Sequence, residues 1–371
     1  MELATVAAAR NTWTRLKTLP PTRFAGLDRR LAAAILVVVA LAVLMLLAAA
    51  FRYQPPVAAA SETEGDMAMY SRIVERMHDG ANYYDAAGVE LRAGGYGTRS
   101  VFNWRLPTLA YVDSLFYARS LLPPLMWASL LLGLGAVAAG LSGAKLVRAN
   151  ADATTSTLAA IALGLSLLAC ATSAAVLFSE IVAGVLILGS VSAYGLGRHR
   201  AGIVLALAAL FVRELAAPYV LVCIYFAWRD GRRSELWTWA IGLAAFAAFY
   251  AVHYAMVQAH VTSADIAYNE DWLRFGGLSF VLSAARFNGI FIALPLWVTA
   301  FVLPLCLLGL AAWRGPGRAG ITVALYLVLF AFVGKTFNDY WGALFTPLMM
   351  LGLAFAPAAL RDLMRSSRAP A

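Results

Sequence analysis

Residues 198–233 read RHRAGIVLALAALFVRELAAPYVLVCIYFAWRDGRR, and the fold depends on whether they cross a membrane once or twice. Arg198, His199 and Arg200 open the stretch, and Arg229, Arg232 and Arg233 close it. A single crossing would carry the closing arginines to the outer face, against the bias that keeps basic residues on the cytoplasmic side. Two short helices of about a dozen residues each, turning at 213–218 near Pro218, keep both ends on one side. The stretch therefore predicts a hairpin, with halves shorter than the roughly 20 residues of a full crossing.

The rest of the chain has the same apolar character. Of 371 residues, 62% are hydrophobic and 13% charged, with a mean hydropathy of +0.74. Soluble domains carry about 25% charged residues. The expectation is an all-α polytopic transmembrane helix bundle forming a single integral membrane domain over 1–371. The net charge of +9 comes from basic clusters between apolar runs. That placement sets orientation and gives no reason to expect a nucleic-acid partner. Cys170, Cys223 and Cys306 lie inside apolar runs without paired spacing, and read as small buried hydrophobes.

Applied outward from the hairpin, the charge rule gives a complete topology. Residues 1–30 form a basic cytoplasmic tail, and 31–51 a first crossing that is full-length and so a retained signal anchor. Residues 52–119 form a large outer loop. Crossings at 121–141, 155–178 and 181–197 lead to the hairpin, and 236–258 leads to a second outer loop at 259–287. Crossings at 288–313 and 319–334, a third outer turn at 335–341 and a last span end in a cytoplasmic tail at 361–371. This amounts to about ten crossings, with both termini cytoplasmic and the active face outside the cytoplasmic (inner) membrane.

The outer loop holds the only long polar passage, residues 61–107, SETEGDMAMYSRIVERMHDGANYYDAAGVELRAGGYGTRSVFNWRLP. Tyr70, Ile73, Val74 and Met77 share one helical face, and Arg72, Glu75, Arg76 and Asp79 the other, which predicts an amphipathic helix lying along the membrane surface. Arg213 and Glu214 are ionisable at membrane depth, which makes them a site by default. Neighbours on a helix do not face each other, so each is expected to have a partner elsewhere. Glu180, alone at a short turn, reads as solvated. Lys335 ends a span as an interface anchor or a site cation. His253 and His260 lack the company of a metal set, and neither a Walker loop nor a dinucleotide fingerprint occurs.

Gly65-Asp66-Met-Ala-Met-Tyr70 after one span, GANYY at 80–84, VREL at 212–215 and Asn338-Asp339-Tyr340-Trp341 before the last span resemble the polyprenyl-phosphate-sugar-dependent glycosyltransferases of fold class C (GT-C). The resemblance implies transfer of a sugar from a polyprenyl-phosphate donor to a carbohydrate or lipid acceptor hydroxyl at the outer face, usually with inversion. It also implies a carboxylate general base, which is Asp66 here, with Glu64 and Glu62 as substitutes. No cofactor or divalent metal is implied beyond the lipid-linked donor and membrane lipid. A departing phosphate needs cations aimed at its oxygens, for which Arg213 and Arg105 are the candidates, with Glu214 and Lys335 beside them. Tyr70, Trp104, Tyr340 and Trp341 would offer aromatic faces to sugar and lipid. A non-enzymatic membrane subunit and a lipid or sugar transporter-flippase are the alternatives. The transporter would call for charges along several spans and an inverted repeat, and neither is evident.

Overall fold

The structure, a computed structural model, describes residues 19–53, 65–118, 123–263, 265–267, 273–315, 317–335 and 337–369. Its first helix, α1 (Arg29–Arg52), starts where the Asp28 carboxylate accepts from the backbone N–H groups of Arg30 and Leu31. Such a cap satisfies donors that a helix start leaves unpaired. Val37, Val38, Leu41, Leu44 and Met45 all stay exposed along α1. An apolar surface of that length is stable only against lipid or another protein.

Among the described residues the protein is helical throughout, and pairing between extended segments is limited to one isolated bridge, Leu273 to Val333. Among the described residues, four segments are long and apolar enough to cross a membrane: α1, α5 (Met126–Asn150), the stretch Ala153–Ala171 that contains α6 (Ala153–Ser166), and α10 (Arg233–His260). A fifth is added if α14 (Thr346–Leu353) and α15 (Ala356–Ser367) count as one span bent by 48°. Shorter apolar helices fill the bundle: α7 (Ser179–Gly195), α8 (His199–Val212), α9 (Ala217–Arg229), α12 (Leu296–Ala312) and α13 (Arg318–Phe332).

The hairpin at 198–233 is present. Arg232 Nη1 lies 3.1 Å from His199 Nδ1, so the start of α8 and the end of α9 meet. A polar network holds that base: the Tyr194 hydroxyl donates to Glu235 at 2.8 Å, Arg232 pairs with Glu235 at 2.9 Å, and the Arg318 guanidinium lies 4.1 Å from the Tyr194 ring. At 14 and 13 residues, each half rises about 20 Å. The tip, where Arg213 is extended and Glu214–Ala216 form a 3-10 turn, therefore ends beside the start of α7.

Several expected boundaries shift. The 121–141 crossing is α5, which continues to Asn150. The 155–178 crossing is α-helical only to Ser166, then unwinds into the 3-10 turns Leu167–Ala171 and Ser173–Leu177. In place of the 288–313 span, the helix begins at Leu296, after Pro295, and where a last span is expected stand α14 and α15, bent by 48°. Residues 19–28 do not lie free on lipid: the Thr22 N–H and hydroxyl donate to Asp362 at 2.7 and 2.9 Å, which docks the segment on α15.

The polar passage is a packed cap rather than a helix lying flat on lipid. The apolar face of α2 (Gly65–His78), with Met69, Ile73, Val74 and Met77, is buried against α3 (Tyr83–Ala93) and α4 (Thr108–Leu115). Arg72 and Arg76 each reach Glu90 at 2.6 Å. The 259–287 loop joins this cap through Asp265, which accepts from Arg92 at 2.8 Å and also from Thr98 and Thr262. These donors, Arg92 foremost, hold the Asp265 carboxyl well below the usual range. Within that loop, α11 (Gly277–Arg286) packs on the 339–344 turn and on α13.

Candidate functional site

The site assembles around Glu180, in the first turn of α7. Its side chain is fully buried, and Arg213 Nε at the hairpin tip lies 2.8 Å from Oε1. The N–H is not aligned with that oxygen, so the contact is an ion pair rather than a hydrogen bond. Arg213 also donates through Nη1 to Glu214 at 2.8 Å. Adjacent residues meet here because Arg213, at φ −149° and ψ 118°, has left the helix, so helical spacing rules no longer apply. The expectation that each needs a separate partner is corrected for Glu214; Arg213 has both.

Arg105 arrives from the opposite side, on the segment that leads into α4. Its backbone carbonyl accepts from the Tyr83 hydroxyl at 2.5 Å, and its Nη1 donates to the Leu177 carbonyl at 3.0 Å. The unwinding after α6 turns that carbonyl toward the site. The guanidinium stacks 3.9 Å from the Tyr70 ring and lies 5.6 Å from that of Tyr340. Arg105 Nη2 stands 3.9 Å from Glu180 Oε2 and reaches no hydrogen-bond acceptor among the described residues, although Arg105 is only 8% exposed. A buried donor of this kind is costly until a ligand or water completes it.

Two close approaches place Tyr340. A Cβ on Gly184, one turn after Glu180, would sit 2.0 Å from the Ala343 carbonyl oxygen, and one on Gly342 would sit 1.7 Å from that of Ala284. Only glycine lets the 339–344 turn press onto α7 and α11. Asp66 lies at the edge of the cluster, in the first turn of α2, where a carboxylate is favoured by the helix dipole. It accepts from the Tyr96 hydroxyl and is close enough to Tyr70, Arg105 and Tyr340 to act on each electrostatically.

A cavity of about 30 Å³ lies beside Arg105, lined by Tyr70, Tyr83, Asp113 and Ser179 among others. That volume suits a water or one small polar group. Asp113, on α4, is 2% exposed, and burial pushes its carboxyl up to about 8.

The structure thus brings together Asp66, Tyr70, Arg105, Arg213, Glu214 and Tyr340. Glu62 and Glu64 lie outside the described residues, as do Glu270, Asp271 and Trp272. Trp104 and Trp341, expected to offer faces to sugar and lipid, are both buried. Trp104 is buried in the cap with its indole N–H donating to the Thr98 carbonyl at 2.9 Å, and Trp341 is buried with its ring 5.6 Å from Phe330. Lys335 is no exposed anchor: it is 2% exposed, its backbone N–H bonds the Asn338 side chain, and its ammonium lies 5.9 Å from the Phe337 ring. His253 is held by the Tyr84 hydroxyl at 3.1 Å and the Trp104 carbonyl at 3.3 Å. Glu180, which its sequence context marks as solvated at a short turn, is instead fully buried between the two arginines. A lone acid opening an apolar run carries the same signal as Arg213.

Searches against protein-family models, curated proteins and solved structures find no match for the chain. The functional reading rests on the residues themselves.

Proposed function

We propose that the protein is a GT-C-type glycosyltransferase of the cytoplasmic membrane, moving a sugar from a polyprenyl-phosphate donor to an acceptor hydroxyl at the extracytoplasmic face. In this reading the cap end is outside, the basic end is cytoplasmic, and the chain makes about ten crossings. The observation that carries it is Arg105: a buried guanidinium where the cap meets the helix bundle, stacked on Tyr70, with one buried N–H waiting for an acceptor. A lipid-linked phosphate supplies such an oxygen, while its hydrocarbon tail stays among the exposed apolar helices.

Arg213 completes the phosphate grip. Glu180 is fully buried and fixed between the two arginines, whereas Glu214 is 21% exposed and able to turn toward solvent. When Glu214 turns out, Arg213 Nη1 is free for a second phosphate oxygen, as a charge-assisted bond. Glu180 holds the two cations close without neutralising the outward-facing N–H groups.

The reaction then balances on groups in place. The acceptor oxygen bonds to the anomeric carbon as the bond from that carbon to the phosphate oxygen breaks. The hydroxyl proton passes to the Asp66 carboxylate, which Tyr96 orients, and the bonding pair leaves with the polyprenyl phosphate, stabilised by Arg105 and Arg213. Asp66→Asn tests the base. Turnover of a labelled polyprenyl-phosphate sugar by the purified variant should fall by about 10²–10⁴-fold, and undiminished turnover would remove Asp66 from that role.

A further inference from the structure

At the basic end, the bend of 48° between α14 and α15 opens a second concave feature. The two halves part company there: α14 packs on α6 and α12, while α15 turns onto α1 and α12. Pro357, near the start of α15, suits the new helix because a first-turn N–H would have no partner. The divergence of α15 from α6 leaves a groove of about 890 Å³, within the roughly 300–1,000 Å³ of ligand sites. Its walls are apolar, with Leu158, Ile161 and Leu165 on α6, Leu305 on α12, Met350 on α14 and Leu360 on α15.

Among the described residues, the charged side chains lining the groove are those of Arg361, Arg365 and Arg368, with no acid. Arg361 is already used: it pairs with Asp362 at 2.6 Å and donates to the Leu19 and Pro20 carbonyls. Arg365 and Arg368 are exposed at the mouth. Cations near a helix C-terminus are ordinarily explained by the dipole, but that explanation requires no groove beneath them. An apolar trough ending in two cations has the amphipathic shape of an anionic lipid. The N-terminal segment of this chain, with Arg10, Arg15 and Lys17, carries the wrong sign to fill it.

We infer that the groove between α6 and the α14–α15 bend is a binding site for an anionic glycerophospholipid, one acyl chain lying along α6 and the phosphate between Arg365 and Arg368. This site is separate from the Arg105–Arg213 cluster, at the other end of the bundle, and does not depend on the glycosyltransferase reading.

Native mass spectrometry of the purified full chain tests it, after equilibration with equal parts phosphatidylglycerol and phosphatidylcholine. The wild type should retain phosphatidylglycerol preferentially. Arg365→Gln with Arg368→Gln should lower that preference by about thirtyfold, the factor for two arginines at an anionic headgroup. Ile161→Trp, which fills the groove from its exposed wall and leaves both arginines in place, should lower retention as well. Arg198→Gln with Arg200→Gln, removing two exposed cations of the same end away from the groove, should change neither. An unaltered preference in the Arg365/Arg368 variant overturns the site. An equal loss in the Arg198/Arg200 variant also overturns it, since retention would then follow total charge.

Discussion

Substituting Glu180 removes the buried anion on which two cations converge, and the consequences for stability can be worked from the geometry. Arg213 Nε is 2.8 Å and Arg105 Nη2 3.9 Å from the carboxylate. At an effective dielectric constant of about 20, these separations correspond to roughly 6 and 4 kcal/mol of Coulomb attraction. Much of that offsets the desolvation of three buried ions, so the intact cluster adds little net stability. Breaking it is different: Glu180→Gln leaves Arg213, 5% exposed, with only the half-open Glu214, and should cost about 3–5 kcal/mol. Glu180→Met with Arg213→Met, which removes this pair of charges and keeps the volume apolar, should recover the part of that loss that comes from Arg213, while Arg105 stays without its anion. Thermal unfolding in detergent of Glu180→Met, Arg213→Met and the double variant gives the coupling energy between the two residues. Additive effects, or a Glu180→Gln midpoint indistinguishable from wild type, would refute the view that Glu180 is the anchor of the cluster.

Asp113 gives a pH signature. Its carboxyl is pushed by burial up to about 8, so the folded state holds a proton that an unfolded aspartate would release near pH 4. The stability this contributes is full at low pH and is lost as pH rises toward and through about 8. The unfolding temperature should therefore fall between about pH 4 and pH 8 and level off above, and Asp113→Asn should flatten the fall; an unchanged slope in the variant would place the titration elsewhere. The hairpin makes a topological prediction, because His199 and Arg232 meet. A cysteine at Asp230 should be labelled by an impermeant reagent from the same side as one at Ser367, and labelling from opposite sides would rule the hairpin out.

The hairpin was legible because its evidence is local: arginines at both ends of an apolar run too long for one short helix and broken near Pro218. The buried face of α2 was legible for the same reason, since Ile73, Val74 and Met77 recur at helical spacing. What lies against that face was not. A sequence shows that a stripe is apolar, but whether lipid or α3 and α4 cover it depends on contacts far along the chain. Glu180 failed on the same ground. Its place between two apolar runs suggests a solvated turn, yet Arg213 of the hairpin tip and Arg105 of the 101–107 segment both reach it. Trp104 and Trp341 have a type that suits sugar faces, and only packing shows that their faces are spent inside the core. Arg213 and Glu214 pair because the backbone leaves the helix at that residue, a departure that the flanking Pro218 hinted at without locating.

The central claim is that Arg105 and Arg213 receive a lipid-linked phosphate, and binding of polyprenyl monophosphate to the purified protein tests it most directly. Arg105→Gln, Arg213→Gln and wild type are to be compared by native mass spectrometry or by displacement of a fluorescent polyprenyl phosphate. Because charge-assisted hydrogen bonds contribute about 1.5–3 kcal/mol each, each variant should bind about tenfold or more weakly. Polyprenyl alcohol, which lacks the phosphate, should not distinguish the three proteins. Equal binding of polyprenyl monophosphate by wild type and both variants would contradict the account.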